Sequence, residues 1–282
     1  MADSSRYAIS EGEIDYVKVL NRVLPKDIRI IGWCPVHLDF HARFSCLSRE
    51  YKYFFWRENL DISAMKNAGK KFLGEHDFRN FCKMDAMNVH NYKRRVTSFD
   101  VIPTSERFGG KELCAIKISG SAFLWHQVRC MVAILFMIGR HLESSDIIDV
   151  LLDIGRTLKK PQYIMAPEIP LVLHSCEYSD LQFFCSADAR QALSAHLENE
   201  YKNLMLQAAI FHDALDNCSS TDDGGRIPLR ERASTKKSLH VPILTRPTEP
   251  SYEERRAKLS SKELKQGFVE LSLGTEATEN GE

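Results

Sequence analysis

The sequence lacks a net charge and any long apolar run, and these two absences exclude several classes of protein. Its 282 residues include 38 Lys and Arg and 38 Asp and Glu, and 44% of the residues are hydrophobic. The longest apolar run, Cys130 to Ile138, covers nine residues, whereas a membrane-spanning helix needs about 20. We therefore expect a globular protein without a membrane span, and the composition excludes collagen-like and wholly disordered chains.

The sequence also lacks cysteine pairs at the spacing of metal or redox motifs. None of the eight cysteines forms a Cys-x-x-Cys pair, and no Cys/His group has zinc-finger spacing. Most of them lie among apolar residues, which indicates buried, reduced thiols in a protein of the cytoplasm or nucleus. The sequence contains no Gly-rich nucleotide-binding loop and no metalloprotease motif, so it predicts neither a cofactor nor a metal.

The balanced total charge hides an uneven distribution along the chain. Residues 41–130 hold 16 basic and 9 acidic residues, whereas residues 131–225 hold 6 basic and 14 acidic residues. The basic segment also contains much of the aromatic content, a combination that suits a polyanion with bases to stack. Composition alone favours the simpler alternative, in which the charges belong to solvated faces.

The hydrophobic periodicity predicts an α+β fold with a mainly antiparallel sheet flanked by helices. The predicted helices are Glu13–Leu24, Asp61–Phe72, Ala122–Ile138, Asp146–Ile154 and Ala187–Leu215. The predicted strands are Ile28–Cys34, Arg49–Phe55, Arg95–Ile102, Leu113–Ser119 and Leu171–Tyr178. The strands are few for so many helices, which suggests that part of the domain lies upstream of Met1.

The composition changes near Asn217. We expect residues 13–216 to form the folded part and residues 217–282 to be a mostly disordered tail, basic and then acidic, with a helix at Tyr252–Lys265. The Arg255–Lys258 cluster in this tail could aid nuclear import or RNA binding, and a solvated helix face is the alternative.

Two tyrosines and an arginine are the first candidates for chemistry. Tyr51 and Tyr53 are predicted to share one face of a strand, where they could stack on a nucleobase while the nearby Arg43 contacts phosphate. The alternative, which the pattern alone favours, is an aromatic core face. Arg129 precedes a fully apolar stretch, so it is either exposed or paired with a carboxylate that the sequence does not reveal.

Two shorter motifs have a functional and a structural interpretation. His76 and Asp77, followed by Phe78, form a polar turn in which the carboxylate could orient the imidazole for acid–base chemistry. The more common alternative is a cap in which Asp77 accepts backbone N–H bonds. Gly120 and Ser121 open the predicted long helix, and the N–H groups there could hold a phosphate.

Three sequence blocks, taken together, resemble the tRNA pseudouridine synthase A family. They are FHARFS with REYKY, FLGEHDFRNFCKMD, and SGSAFLWHQVRCMVAILFMIGR, and they occur in the family's order between about Ile14 and Tyr178. The second and third blocks resemble the eukaryotic branch, the tRNA pseudouridine-38/39 synthases, more than the bacterial enzyme. The resemblance implies the pseudouridine synthase fold and the isomerisation of uridine to pseudouridine in the tRNA anticodon stem-loop, without a cofactor.

The resemblance also implies roles for individual residues. Tyr51 matches the tyrosine that packs on the target base, and Arg129 matches the arginine that pairs with the catalytic aspartate. The other matches fall on positions that line or support the cleft, namely Arg43, His76, Asp77 and Phe78.

The family's nucleophilic aspartate, within Arg-Thr-Asp-Lys-Gly, has no counterpart in the sequence. The only Arg-Thr pair is Arg156-Thr157, and Leu158 follows it. We therefore expect the fold to be incomplete at its N-terminal side. Three interpretations stay open: a shortened form of a tRNA pseudouridine synthase, which we favour, a short chain that binds RNA or a protein partner without catalysis, and an unstable remnant with an exposed sheet edge.

Overall fold

The computed structural model contains a five-stranded β-sheet. It describes residues 13–219 and 240–261. The strands are β1 (Cys46–Trp56), β2 (Gly74–Asp77), β3 (Lys93–Phe108), β4 (Lys111–Gly120) and β5 (Leu171–Tyr178). They lie in the order β2-β3-β4-β1-β5, and β4 pairs antiparallel with both β3 and β1. The predicted α+β class with a mainly antiparallel sheet is confirmed.

Helices of very different length accompany the sheet. They are α1 (Tyr16–Val23), α2 (Ile62–Gly69), α3 (Gln127–Gly139), α4 (Ile147–Leu152) and α5 (Ala187–Ser219), and residues 252–261 are also helical. Asp61 begins α2 as predicted, because its carboxylate accepts the N–H of Ala64 at 2.9 Å. In the described part of the chain, no helix combines the length and apolarity needed to cross a bilayer.

The chain forms two compact units. Of the described residues, 13–46 and 178–219 make the first, which we call the helical unit, and 47–177 with 240–261 make the second, which we call the sheet unit. Each unit is therefore assembled from two separate stretches of sequence.

The core of the sheet unit lies between α3 and one face of the sheet. On α3 the side chains of Met131, Ile134 and Leu135 are fully buried. On the sheet, Ile116 and Ile118 of β4 are equally inaccessible. Burial of each of these side chains stabilises the fold by about 1.5–3 kcal/mol relative to exposure, so α3 is fixed firmly to the sheet.

One glycine permits the close packing of α2 on this core. A Cβ atom at Gly69 would lie 1.8 Å from the ring of Phe99 on β3. The phenyl ring therefore occupies the space that any other side chain would need. The Phe99 ring thus packs directly against the backbone of α2 at this point.

The structure contradicts one predicted strand, Ile28–Cys34, which lies in the helical unit. Residues 28–34 form no strand, and only an isolated bridge joins Trp33 to Phe184. The amide of Asn21 donates to the Ile30 carbonyl at 2.9 Å and its oxygen accepts the Ile30 N–H at 2.8 Å. The side chain thereby satisfies backbone groups that a strand partner would otherwise bind, and Ile31 is 74% exposed rather than buried.

The structure also differs from the disordered tail expected over residues 217–282. Residues 240–261 pack on the sheet unit, where Ile243 is fully buried and its N–H donates to the Glu143 carboxylate at 2.7 Å. His240 lies 2.8 Å from the same carboxylate. These long-range contacts order a segment whose local composition resembles a tail. The rest of the predicted tail, residues 220–239 and 262–282, lies outside the described residues.

Replacing Ile243 with Ala should therefore lower the free energy of unfolding by about 2–5 kcal/mol, because it removes a fully buried side chain from the core. Leu244→Ala is the matched control, since Leu244 is 53% exposed and its loss should change stability by about 0.5 kcal/mol or less. Urea unfolding of both variants measures the difference. Equal stability of the two variants would show that this segment is not part of the core.

Candidate functional site

Four strands meet in one row at one end of the sheet. Arg49 on β1 lies opposite Gly120 on β4, Gly120 opposite Val96 on β3, and Val96 opposite Gly74 on β2. Strand β4 ends in this row, and residues 121–126 then lead to α3. We call this end of the sheet the site end.

Tyr51 lies on β1 next to the site end, opposite Ile118. Its side chain is half-buried against the core, and its ring packs edge-on against Phe123 with 5.2 Å between the ring centroids. A half-buried aromatic ring is held on one side by the protein and keeps the remainder accessible. The Phe123 contact therefore fixes the Tyr51 ring beside the site end.

Tyr53 shares the face of Tyr51 but belongs to the core. It is 2% exposed, and its ring packs against Phe136 of α3 with 5.9 Å between centroids. Burial raises the pKa of the Tyr53 hydroxyl, an effect that the charge of Arg129 opposes. The predicted two-ring stacking platform is therefore wrong for Tyr53, and the core alternative holds for that ring.

Gly120 fixes the path of the chain between β4 and α3. A Cβ atom at this position would lie 2.6 Å from the Arg95 carbonyl oxygen and 3.0 Å from the Phe123 ring, so only glycine fits. The Arg49 guanidinium donates to the Ser121 carbonyl at 2.6 Å. These contacts hold the Phe123 ring where it meets Tyr51.

Helix α3 begins at Gln127, five residues later than predicted. The Gln127 side chain accepts the N–H of Leu124 at 2.8 Å, and the Gln127 N–H donates to the Leu124 carbonyl at 3.1 Å. His126 has a φ of 61°, which is outside helical geometry. The phosphate-binding helix terminus predicted at Gly120 and Ser121 therefore does not form there.

Arg129 projects from the first turn of α3 and is mostly buried, with 14% of its side chain exposed. Its Nε donates to the Ala166 carbonyl at 2.7 Å, and its Nη2 donates to the Glu168 carboxylate at 2.8 Å. Arg129 is therefore mostly buried and pairs with a carboxylate of this chain, whereas its pairing with the catalytic aspartate stays a prediction. Glu168 itself is 74% exposed, so the pair lies at the rim of the core.

His126 lies among cations. Its Nδ1 is buried and has no hydrogen-bond partner within residues 13–219 and 240–261. Desolvation lowers the pKa of the imidazole below its usual value, and the nearby charges of Arg129, Lys83 and Lys160 lower it further. Glu168, which pairs with Arg129, acts in the opposite direction and raises the pKa of the imidazole.

Further basic side chains occupy the site end. Lys93 and Arg95 at the start of β3 are exposed. Arg94 between them is partly buried, which lowers the pKa of its guanidinium, and it donates to the carbonyls of Asn91 and Lys93. Together with Arg49 these residues give the site end a positive surface suited to a polyanion.

The predicted turn at His76 is a strand, because β2 pairs with β3 and places His76 opposite Arg94. Asp77 accepts the Arg79 N–H at 3.0 Å and the Arg79 guanidinium at 2.9 Å. This geometry matches the capping interpretation, whereas His76 bonds to the Leu73 carbonyl at 2.8 Å instead of to Asp77. Phe78 is fully buried, which is a supporting position.

Arg43 lies in the helical unit. It is exposed, and its guanidinium lies over the Phe44 ring, 5.8 Å from the centroid. Its predicted contact with phosphate stays a prediction.

Sequence reasoning missed Glu168 and Lys160. Lys160 is 8% exposed, donates to the Cys82 carbonyl at 3.1 Å and pairs with Glu249 at 3.3 Å. Both residues reach the site through contacts between distant parts of the chain, and no local pattern indicates them. Glu168 could have been found only by searching the sequence for carboxylates able to pair with Arg129.

We predict that His126 titrates below pH 6.5 in an NMR experiment and that Arg129→Gln raises its pKa, because one of the nearby positive charges is removed. A lowered histidine pKa contributes stability that is complete above the unfolded value and is lost as pH falls through the folded one.

Arg140→Gln is the control for this titration, since Arg140 is exposed and caps the other end of α3. An unchanged His126 pKa in Arg129→Gln would contradict the electrostatic effect of Arg129.

Comparison with known proteins gives a consistent result. The sequence model described as tRNA pseudouridine synthase matches residues 68–179. The tRNA pseudouridine(38/39) synthase of Homo sapiens is 45% identical over 210 residues, which are 72% of this chain and 44% of that protein. The Saccharomyces cerevisiae protein of the same name is 47% identical over 175 residues, which cover 61% of this chain and 38% of that protein.

This chain covers a larger share of an archaeal relative than of the two eukaryotic proteins. The tRNA pseudouridine synthase A of Archaeoglobus fulgidus is 32% identical over 190 residues, which are 67% of this chain and 68% of that protein. The chain thus spans less than half the length of the two eukaryotic relatives and about two thirds of the archaeal one.

Proposed function

The chain belongs to the tRNA pseudouridine synthase family, and from this premise we propose that it binds a tRNA anticodon stem-loop and positions the uridine that is isomerised. In that reaction the N1–C1′ bond breaks, the uracil rotates, and C5 bonds to C1′, with a proton lost from C5 and one gained at N1. The target base must first leave the stack, which costs a few kcal/mol.

The arrangement of Arg129 is the observation that carries this proposal. The guanidinium is held by the Ala166 carbonyl and the Glu168 carboxylate through Nε and Nη2. A guanidinium has five N–H donors, and Nη1 binds no other side chain or carbonyl in the described residues. We propose that this edge receives the carboxylate of the catalytic aspartate, as the family resemblance implies for this arginine.

A guanidinium that is already fixed in place would favour binding of the ionised catalytic carboxylate. A carboxylate that attacks C1′ must stay ionised, and an adjacent arginine lowers the pKa of a carboxyl group. Because Arg129 is already fixed by two hydrogen bonds, it loses little side-chain entropy when it binds the aspartate. Tyr51, half-buried on β1, would contact the target base on the same side of the sheet, as α3 packs on this face through Tyr53.

Binding of the tRNA backbone is assigned to the positive surface of the site end. Lys93 and Arg95 are exposed there, and Arg49 and Arg94 are partly buried. Phosphate contacts fix the orientation of a nucleic acid without reading its sequence. The choice of positions 38 and 39 is supported by the names of the eukaryotic relatives. We also propose a nuclear or cytoplasmic location, where a tRNA substrate is found.

The first test compares the chain alone with the chain joined to a segment that carries the aspartate. We expect the 282-residue chain to bind an anticodon stem-loop RNA and to form no pseudouridine. A fusion that places the N-terminal segment of the Saccharomyces cerevisiae relative before this chain should form pseudouridine. Primer extension after carbodiimide treatment measures the product.

RNA binding by the chain together with an inactive fusion would favour the second candidate function, a non-catalytic RNA-binding protein. The absence of the Arg-Thr-Asp motif from the sequence is the observation behind that candidate. Loss of both binding and activity would contradict the proposal.

Variants of the active fusion test the two residues separately. Arg129→Ala should lower the rate by about 10²–10³-fold, because the catalytic carboxylate loses its charge partner. Tyr51→Ala should also lower the rate, and more than Tyr51→Phe, which keeps the ring. Arg140→Ala, an exposed arginine at the other end of α3, should have no effect. A normal rate for Arg129→Ala, or for both Tyr51 variants, would remove that residue from the mechanism.

A further inference from the structure

Trp125 and His126, which directly precede α3, have three features that each lower the stability of the fold. Trp125 is 56% exposed, which leaves a large apolar ring in water. His126 has a φ of 61°, a left-handed conformation that is unfavourable for a residue with a side chain. The Nδ1 atom of His126 is buried without a hydrogen-bond partner among the described residues. The indole contacts the neighbouring His126 ring, with 4.9 Å between the ring centroids, and still leaves more than half of Trp125 exposed.

A lysine is positioned over the indole. The Lys83 ammonium lies 4.2 Å from the centroid of the Trp125 ring, and the Lys83 N–H donates to the Trp125 carbonyl at 2.9 Å. Lys83 itself is exposed. A flexible lysine is thus held by its backbone and by a cation–π contact, so its charge stays at one face of the ring.

The surroundings of this pair suit an anionic ligand that also carries flat rings. The exposed Lys83 supplies the positive charge at the indole, whereas Arg129 and Lys160 near His126 are each paired with a carboxylate, Glu168 and Glu249. Along the same loop, Phe123 contacts Tyr51, with 5.2 Å between ring centroids. One short loop therefore connects the tyrosine that the family resemblance assigns to the target base with an exposed tryptophan.

We propose that Trp125 and Lys83 form a second RNA contact, in which a base of the single-stranded loop stacks on the indole face opposite Lys83. The Lys83 ammonium then pairs with the adjacent phosphate. This inference rests on the proposed function, because it takes the ligand to be the same RNA that Tyr51 contacts. Stacking on an aromatic side chain accepts any base, so the contact holds a nucleotide next to the target and does not select its identity.

The test uses the 282-residue chain and a fluorescein-labelled, unmodified anticodon stem-loop RNA, with affinity measured by fluorescence anisotropy. Trp125→Leu should weaken binding by about 5- to 100-fold, the effect of losing one stacked base. Lys83→Met keeps the length of the side chain and should reduce the slope of log Kd against log salt by about one phosphate contact. Trp56→Leu is the control, since Trp56 is also half-exposed, at 41%, and lies at the opposite end of β1.

A second readout leaves Trp125 unchanged and so does not depend on how its substitution affects folding. In a Trp33→Phe/Trp56→Phe protein, Trp125 is the only tryptophan, and RNA should quench its emission. If the unaltered chain binds no RNA, the proposed function fails. If it binds RNA while Trp125→Leu stays within twofold of it and the Trp125 emission does not change, the stacking contact alone is overturned.

Discussion

The packing of α3 on one face of the sheet is the contact on which the other features of the sheet unit depend. Its side chains Met131, Ile134 and Leu135 are inaccessible to solvent, and a helix buried to this degree cannot shift without opening a cavity. Because α3 is fixed, the residues at its first turn have fixed positions too. This apolar contact therefore positions Arg129 and the loop that carries Trp125, and Leu124 anchors that loop in the same core.

This dependence explains how a charged residue is tolerated at the edge of an apolar core. An arginine that is 14% exposed requires hydrogen-bond partners, and Ala166 and Glu168 supply them from a segment far along the chain. Glu168 is largely in water, so it compensates the charge without a large desolvation cost of its own. The guanidinium is thus presented in a defined orientation by groups outside the helix that bears it.

Features determined by nearby residues could be predicted from the sequence, and features determined by distant contacts could not. The bounds of β5 and the capping of α2 by Asp61 follow from local periodicity and turn chemistry. Residues 28–34 have the composition of a strand, but the Asn21 side chain from α1 satisfies the backbone of Ile30 in the middle of this segment. The helix at residues 252–261 agrees with the local prediction, whereas the contacts of residues 240–251 and the pairing of Glu168 with Arg129 lie outside any local window. The resemblance indicated Arg129 and Tyr51, whereas Lys83 and Trp125 became candidates only through their geometry.

The division of the sheet unit between two stretches of chain has a consequence for its synthesis. Ile243, a fully buried core residue, is translated only after all of α5, which belongs to the other unit. Chains lengthen by about 5–20 residues per second and domains generally fold as they emerge. The sheet and α3 therefore emerge before Ile243, and the Ile243 position of the core is unfilled at that stage. A nascent chain at this stage exposes apolar surface that a chaperone can bind, and the core is completed only after Ile243 has emerged.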